Sequence, residues 1–550
     1  MKRMLKKLRS RFHNDLLAQM ETDKQELGNL IIKTYPPAIN DLHDEINRTI
    51  ETGVTRQFTE YERQISAYRE SEASFQKRMD AYEDRIKACD EQIQSYKSQV
   101  MTYGKARGVI QKIDDYCKTG DASSIDGVLY RDLFCVYDLF GADLYKYIIQ
   151  KCFRQNERTL SKCDKIQVGF IFTVPYIWAF DSLYWCMERH ERFEPFIIVM
   201  PPYNDMQGKH SYSTNLQLVR EKGYRFIESF DLAENKYLPF PMIKQLGIVF
   251  HQLSYSVYPD PYRIELFPIS TMNALVSYGT LTINPTNQFF YHNAGQRCFW
   301  KFLCETEFHV KINRDVLELG ELNSIRCGIP RLDAIYDSDS VQAVLEQKKK
   351  EYSIVWAPHY QTSLVEGKAA LATMDMNKDF FLDYAAKHPE TYWYVRAHPN
   401  FYRHGVEFGL FENVEDIDAY LSKWAALDNA ELALDMDVPT LFALSDMLIT
   451  DSSTFLTDYL FFDKPLLRLI RGEEEDFWNE YGNLLVSHIP TVRGDDFAAI
   501  EEFVRTKPPM DKTLFDEYLD YYKYNGNKTA AEFFVEHLEE LFWKEMGEMS

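Results

Sequence analysis

From residue 165 onward the chain alternates short, continuously apolar runs with longer amphipathic ones, and it does so in two series. In the first, "KIQVGFIF", "PFIIVMP", "LGIVFHQ", "NALVSYG" and "QFFYHN" read as strands, and "AFDSLYWCMERHERF" and "NLQLVREKG" as helices. A charged stretch, "AVLEQKKKEY", then intervenes. In the second series the strands are "SIVWAPHY", "TYWYVRAHP", "AELALD", "DMLITD" and "KPLLRLI", between helices at "FFLDYAAKH", "IDAYLSKWAAL" and "PTLFALS". Strands that take turns with helices are joined by crossovers, and crossovers make parallel sheets covered on both faces. The expectation is an α/β protein with two Rossmann-like domains facing across a cleft, residues 165–340 and 341–550. Ligands of such sheets bind outside the carboxyl ends of the strands.

The residues before this region read as helical. "DLFCVYDLFGADLYKYIIQKCF" has helical spacing, which makes 111–164 a helical connector. Upstream, Phe58, Tyr61, Ile65, Tyr68, Glu72, Phe75, Met79, Tyr82, Ile86, Cys89, Ile93, Tyr96, Val100 and Tyr103 advance by steps of three and four. That stripe over 51–110 predicts a self-associating coiled coil, roughly 70 Å long at the helical rise. Residues 1–50 form a basic lead-in. "MKRMLKKLRSRF" holds Lys2, Arg3, Lys6, Lys7, Arg9 and Arg11 without an acid, which suits an anionic lipid surface.

A formal net charge of −22 argues against a general nucleic-acid binder. Nine cysteines without a CxxC pair read as buried thiols in a reducing compartment. The longest apolar window, Val168 to Phe180, is short for a bilayer and contains Pro175. No apolar segment of signal-peptide type follows the basic start. The expected location is therefore cytoplasmic, with the basic start against the inner face of the cell membrane.

Several polar clusters fall where strands should end. "ITDSSTFLTDYLFFDKP" places Thr450, Asp451, Ser452, Ser453 and Thr454 between a strand and a helix. Hydroxyls and free N–H groups at such a junction suit a phosphate, and the same residue types also make ordinary helix caps. "WAPHY" offers His359; "VRAHPN" offers Arg396, His398 and Asn400; "FFYHNAGQRCFW" offers His292, Asn293, Gln296 and Arg297. "VFHQLSYSVYPDPY" adds His251, Gln252, Tyr255 and Asp260. Histidine is the side chain best suited to proton transfer near neutral pH. The histidines lack HxH or HExxH spacing, so no metal site is expected. Neither GxGxxG nor GxxxxGK[ST] is present, which removes the common dinucleotide and P-loop readings.

Taken in order, "GIPRLD", "WAPHY", "RAHPN" and "ITDSSTFLTDYLFFDKP" resemble the CDP-glycerol glycerophosphotransferase family of teichoic-acid and capsule polymer enzymes. Ser453 and Thr454 match that family's paired serines, and Asp458 and Lys464-Pro465 its later Asp and basic-Pro. "FFYHNAG…W" matches the region of its first-domain histidine. The resemblance covers roughly residues 165–490. It departs at His292-Asn293-Ala294-Gly295, at Ser452 and at His359, which marks a divergent branch.

What the resemblance implies is a GT-B-like fold. The implied reaction moves glycerol phosphate, or a related polyol phosphate, from a CDP-activated donor to a hydroxyl of a cell-surface polymer or lipid-linked acceptor, with release of CMP. It assigns catalytic roles to His292, as general base, and His398. It assigns the donor diphosphate to Ser453, Thr454, His359 and Arg396, and a polyol or ribose contact to Asp458 and Asp451. No cofactor is called for, and Mg²⁺ is compatible with the diphosphate. The alternatives are a GT-B glycosyltransferase using a nucleotide sugar, a nucleotide-sugar 2-epimerase, and a coiled-coil scaffold carrying an inactive enzyme domain.

Overall fold

A computed structural model describes six separate positions between 77 and 91, and residues 101–544 apart from 203–210, 239–245, 255–257, 285–289, 361–371, 399, 435 and 473–476. The basic start and most of the expected coiled coil lie outside the described residues, as does Tyr255. The chain divides into two compact units, Met1–Ile110 and Gln111–Ser550. A helix is described over 101–119.

The second unit holds both strand series. The first supplies β1 (Ile166–Phe172), β2 (Phe193–Val199), β3 (Phe226–Glu228), a small antiparallel pair β4 (Phe230–Asp231) and β5 (Lys236–Tyr237), then β6 (Ile248–His251), β7 (Met272–Val276), β8 (Phe299–Cys304) and β9 (Ser324–Arg326). Their sheet has the order β3-β2-β1-β6-β7-β8-β9, and every pair in it is parallel. The second series supplies β10 (Tyr352–Ala357), β11 (Thr391–Val395), β12 (Ala430–Leu432), β13 (Met447–Thr450), β14 (Leu466–Ile470) and β15 (Thr491–Arg493). Their sheet runs β12-β11-β10-β13-β14-β15, again all parallel. Both are doubly wound: the winding starts in the middle, goes out to one edge, then returns and proceeds to the other.

The central strands are apolar on both faces because both faces are covered. Ile354, Trp356, Trp393 and Val395 pack against Phe381 and Trp424 on one face of the second sheet. Val355, Tyr394 and Leu448 meet Phe442, Tyr459 and Tyr481 on the other. In the first sheet Phe170 of β1 stacks on Phe250 of β6, with centroids 4.8 Å apart. The helical residues before β1 pack directly on that sheet. Tyr130 donates to the Thr271 carbonyl (2.6 Å), Asn156 to that of Ile269 (2.8 Å), and Trp300 Nε1 to Glu157 (2.7 Å).

The expected strand at "QFFYHN" is corrected over its described residues, 288 and 289 lying outside them. Residues 290–293 form a turn, Ala294–Cys298 a 3-10 helix, and the strand begins only at Phe299. Asn293 Nδ2 donates to the Phe290 carbonyl (2.9 Å) and to Ser254 Oγ (3.2 Å), and Gln296 also reaches the Phe290 carbonyl. Such local side-chain bonds compete with a strand ladder.

The chain end also departs from the expected division. Helix Ala530–Glu539, counted with the second domain in the sequence, lies against the first sheet's layer, where Phe534 meets Phe250 (6.0 Å). Phe542 stacks on Trp300, and Arg192 lies 4.5 Å over the Trp543 ring. "GIPRLD" is what holds this return in place. Gly328 has φ +100°, and a Cβ there would stand 2.3 Å from the Tyr521 ring. Asp333, buried beneath it, accepts from Tyr521 Oη and from the N–H groups of Ala530 and Ala531, each at 2.9 Å. Burial pushes its carboxyl up to about 6, against these bonds. Asp333→Ala leaves the buried N–H groups of Ala530 and Ala531 without this acceptor and Tyr521 Oη with only the Ile329 carbonyl (3.3 Å). Urea unfolding should show a loss of about 2–4 kcal/mol, on the scale of unsatisfied buried groups beside a charge.

Candidate active site

The second sheet changes winding direction between β10 and β13, which are neighbours, and β11 lies on the other side of β10. Loops leaving the carboxyl ends of these three strands carry His359, His398 and Ser452–Thr454. One carboxylate ties two of the loops together. Asp451 Oδ1 accepts the His359 N–H (2.6 Å), and Oδ2 accepts both N–H (2.6 Å) and Oγ1–H (2.9 Å) of Thr373. Thr450 adds a bond to the Ala357 carbonyl (2.6 Å). Asp451 is buried, and burial raises its carboxyl to about 6 although all of these donors oppose the shift. The expected polyol or ribose contact at Asp451 is therefore not what the structure shows, because both its oxygens are occupied by the protein.

Helix Ser453–Tyr459 begins at the end of β13, with Ser452 as N-cap. The Ser452 side chain makes no cap bond. The hydroxyls of Ser452, Ser453 and Thr454 are partly exposed and carry no hydrogen bond among the described residues. A plain helix cap does not account for them. Across the cleft, the backbone of Gly279 comes so close that a Cβ there would lie 2.7 Å from Thr454 Cγ2. The glycine lets the two halves close onto this turn.

His359 and His398 stand side by side, with ring centroids 4.9 Å apart. Tyr360 stacks on His359 (4.4 Å), lies 4.6 Å from His398, and stacks on His404 (4.9 Å) from helix Phe401–Glu407. Burial first, then His404, lowers His359 to about 4. Burial, followed by His359, Arg396 and His404, holds His398 well below the usual imidazole range. Both rings are neutral at pH 7. The backbone N–H of Asn400 donates to His398 Nδ1 (3.0 Å), so Nε2 carries the proton and points as a donor.

Arg396 is buried, and its guanidinium donates to the carbonyls of Ala433 (2.6 Å) and Leu434. Its charge sits beneath the histidines. Asp458 is completely buried in an ion pair with Arg331 of "GIPRLD", and Arg331 also donates to the Tyr278 carbonyl. Burial raises the Asp458 carboxyl and Arg331 opposes it. The expected ligand contact of Asp458 is thus corrected to a tie between the two halves. Lys464 donates to the carbonyls of Phe442, Ala443 and Ser445, so the basic-Pro element also serves the fold.

Beside this group a cavity of about 350 Å³ opens between the halves, lined by Trp178, Tyr278, Arg331, Arg396, Asp437 and Thr440 among others. His359, His398 and Ser453 do not line it. Arg396 and Tyr278 connect the two regions. His251 is fully buried, bonds Asn273 (3.0 Å) and packs among Tyr258, Phe267 and Phe299, as a core residue does. His292 is exposed in the turn before β8, outside any strand end, and shares no described contact with the histidine cluster. Sequence reasoning missed Arg331, Tyr360 and His404. The first two lie inside the quoted motifs, and only their partners reveal them. Among the described residues, no group of three or more His, Cys, Asp or Glu could hold a metal ion, and no helix is long and apolar enough to cross a membrane.

The depressed pKa of His359 has a definite sign in stability. The unfolded ring takes a proton near pH 6.5, whereas the folded ring refuses it until about 4. Its contribution is present above 6.5 and is lost as pH falls toward 4. His359→Gln removes that loss, so urea melts at about pH 7.5 and 5 should show the stability difference moving in the variant's favour on acidification.

Residues 296–474 match the family described as CDP-Glycerol:Poly(glycerophosphate) glycerophosphotransferase. No curated protein matches the chain by sequence. Among solved structures, the wall teichoic acid polymerase TagF aligns at 13% identity and TM-score 0.42, over 76% of this chain and 98% of that one. The UDP-GlcNAc 2-epimerase from Neisseria meningitidis aligns at 14% and 0.40, over 68% and 100%. That from Methanocaldococcus jannaschii aligns at 12% and 0.42, over 68% and 99%. These distant likenesses carry no functional weight. The matched span of the first comparison does, since it runs from the turn before β8 to just past β14 and contains His359, His398, Ser453 and Thr454. Over residues 296–474 the chain is similar to the glycerophosphotransferase family, which marks it as a CDP-glycerol glycerophosphotransferase-like enzyme.

Proposed function

We propose that the chain transfers glycerol phosphate, or a related polyol phosphate, from a CDP-activated donor to a hydroxyl of a teichoic-acid-like surface polymer or its lipid-linked primer, releasing CMP. The observation that carries this reading is the grouping at the β10/β13 switch point. There, two neutral histidines and the hydroxyls of Ser453 and Thr454, which have no bond within the described protein, leave the carboxyl ends of neighbouring strands. Phosphoryl transfer asks a protein mainly for positioning and for donors aimed at developing charge. His398 Nε2–H and the two hydroxyls are such donors, and they hold the diphosphate as CMP departs. The buried Arg396 adds positive potential at the adjoining cavity, which it lines. The adjoining cavity receives a further part of the donor or the acceptor. The two sheets give the chain a GT-B-type frame.

CMP release from CDP-glycerol by the purified protein tests this, with UDP- and CDP-sugars run alongside. Wild type should release CMP from CDP-glycerol. His398→Ala and Ser453→Ala should each lose about 10²-fold or more in kcat, the scale of a removed charge-stabilising donor. Turnover of a nucleotide sugar in place of CDP-glycerol would sink the reading.

The same proposal places the protein in the cytoplasm at the inner membrane face, self-associated through residues 51–110 and held to anionic lipid by residues 1–50. Removing 1–110 should then lower both the oligomer size by light scattering and the bound fraction on anionic vesicles. An unchanged oligomer and unchanged vesicle binding would refute it.

A further inference from the structure

The cluster holds two histidines in opposite tautomers. His398 receives a backbone N–H at Nδ1 (3.0 Å), so that nitrogen keeps its lone pair and the ring can only donate through Nε2. His404 is arranged the other way round. Its Nδ1 lies 2.5 Å from Glu407 Oε2, and a carboxylate can only accept. The proton therefore sits on Nδ1, and Nε2 carries the free lone pair. Glu407 lies three residues along the same helix. The groups facing His404 from other elements are the Tyr360 ring and His359 in the loop after β10, and His398 in the loop after β11. Phe408 closes its remaining side at 5.3 Å. None of these facing groups is an acid. His292, the sequence-based choice for the base, shares no described contact with this group.

Resting on the functional reading above, we propose that His404, backed by Glu407, is the proton acceptor of the transfer step. The acceptor hydroxyl oxygen bonds to the phosphorus that bears the polyol, and its proton passes to His404 Nε2. The bond from that phosphorus to the bridging oxygen breaks, and its electron pair leaves on the phosphate of CMP. His398 Nε2–H donates to the diphosphate throughout and takes no proton. His404 returns its proton to water, which closes the balance at one proton released per transfer.

The test is the pH profile of CMP release from CDP-glycerol by wild type, His404→Gln, Glu407→Gln and His292→Gln, each with a thermal melt. His404→Gln should fall about 10²-fold or more in kcat, with KM within about threefold of wild type. Glu407→Gln should keep the base but lose its orienting partner, lowering kcat about 10-fold with KM near the wild-type value. A purely structural role for the pair would lower the melting temperature and raise KM along with the loss in kcat, and this result overturns the proposal. So does a loss in His292→Gln with His404→Gln near the wild-type rate. A wild type that releases no CMP brings down the functional reading itself, and the base assignment with it. A wild type that turns over while both His404→Gln and Glu407→Gln match it brings down the base assignment alone.

Discussion

The carboxylate of Asp451 is the contact on which the site depends. A doubly wound sheet brings the ends of β10 and β13 together, but strand ends alone do not fix loops. Asp451 does so by binding the His359 N–H on one oxygen and Thr373 twice on the other. One buried acceptor thus sets where His359 begins, where helix Met374–Lys387 starts, and where the hydroxyl-bearing turn leaves the sheet. A charge in such a place is costly unless its hydrogen bonds are filled. Here they are filled by groups that the fold must satisfy anyway, so the same bonds stabilise the loops and leave the neighbouring hydroxyls unused.

The second constraint lies between the halves, and the polar residues of "GIPRLD" divide it. Arg331 pairs with Asp458 and binds the Tyr278 carbonyl, while Asp333 secures the start of helix Ala530–Glu539. The first half is thereby attached to the helix that follows the hydroxyl turn, and the returning chain end is attached to the first half. Asp458 has no exposed surface, so removing Arg331 would leave a buried charge unpaired. The close approach of Gly279 to Thr454 is possible because this tie holds the two edges at a fixed separation.

The strands are legible because buried parallel strands must be continuously apolar, and "SIVWAPHY" or "KIQVGFIF" satisfies that within a few residues. β3, β9 and β15 escape a reading of the sequence, since these short pieces are only partly buried and lack a continuous apolar run. "QFFYHN" misleads because aromatic residues are common in strands, whereas Asn293 and Gln296 turn their bonds onto Phe290. In the site, His359, His398, Ser453 and Thr454 stand out by their positions at strand ends. Asp451 and Asp458 look like ligand groups because they flank the hydroxyls in sequence. Their real partners are 92 and 127 residues away, and no local pattern records such pairings. Tautomers are still less legible, since the proton positions on His398 and His404 follow from Asn400 N–H and Glu407 only after the loops are folded.

The chain carries a net charge of −22, and its donor, on the proposed reading, is itself anionic. Attraction at a distance therefore cannot gather the substrate, and the site has to act at contact range. Its composition fits that requirement. Arg396 is engaged by two carbonyls and is buried, so it biases the local potential at the cavity it lines. The groups proposed to meet the diphosphate are a neutral imidazole N–H and hydroxyl groups, whose strength depends on direction and falls quickly with misplacement. Such donors stabilise charge that develops at one position more than charge spread over a bound ground state, which is the difference that lowers a barrier. They also release a leaving phosphate more readily than a lysine clamp would. Keeping His359 and His398 neutral is part of the same arrangement, because an imidazolium in this position would add a second cation to that of Arg396.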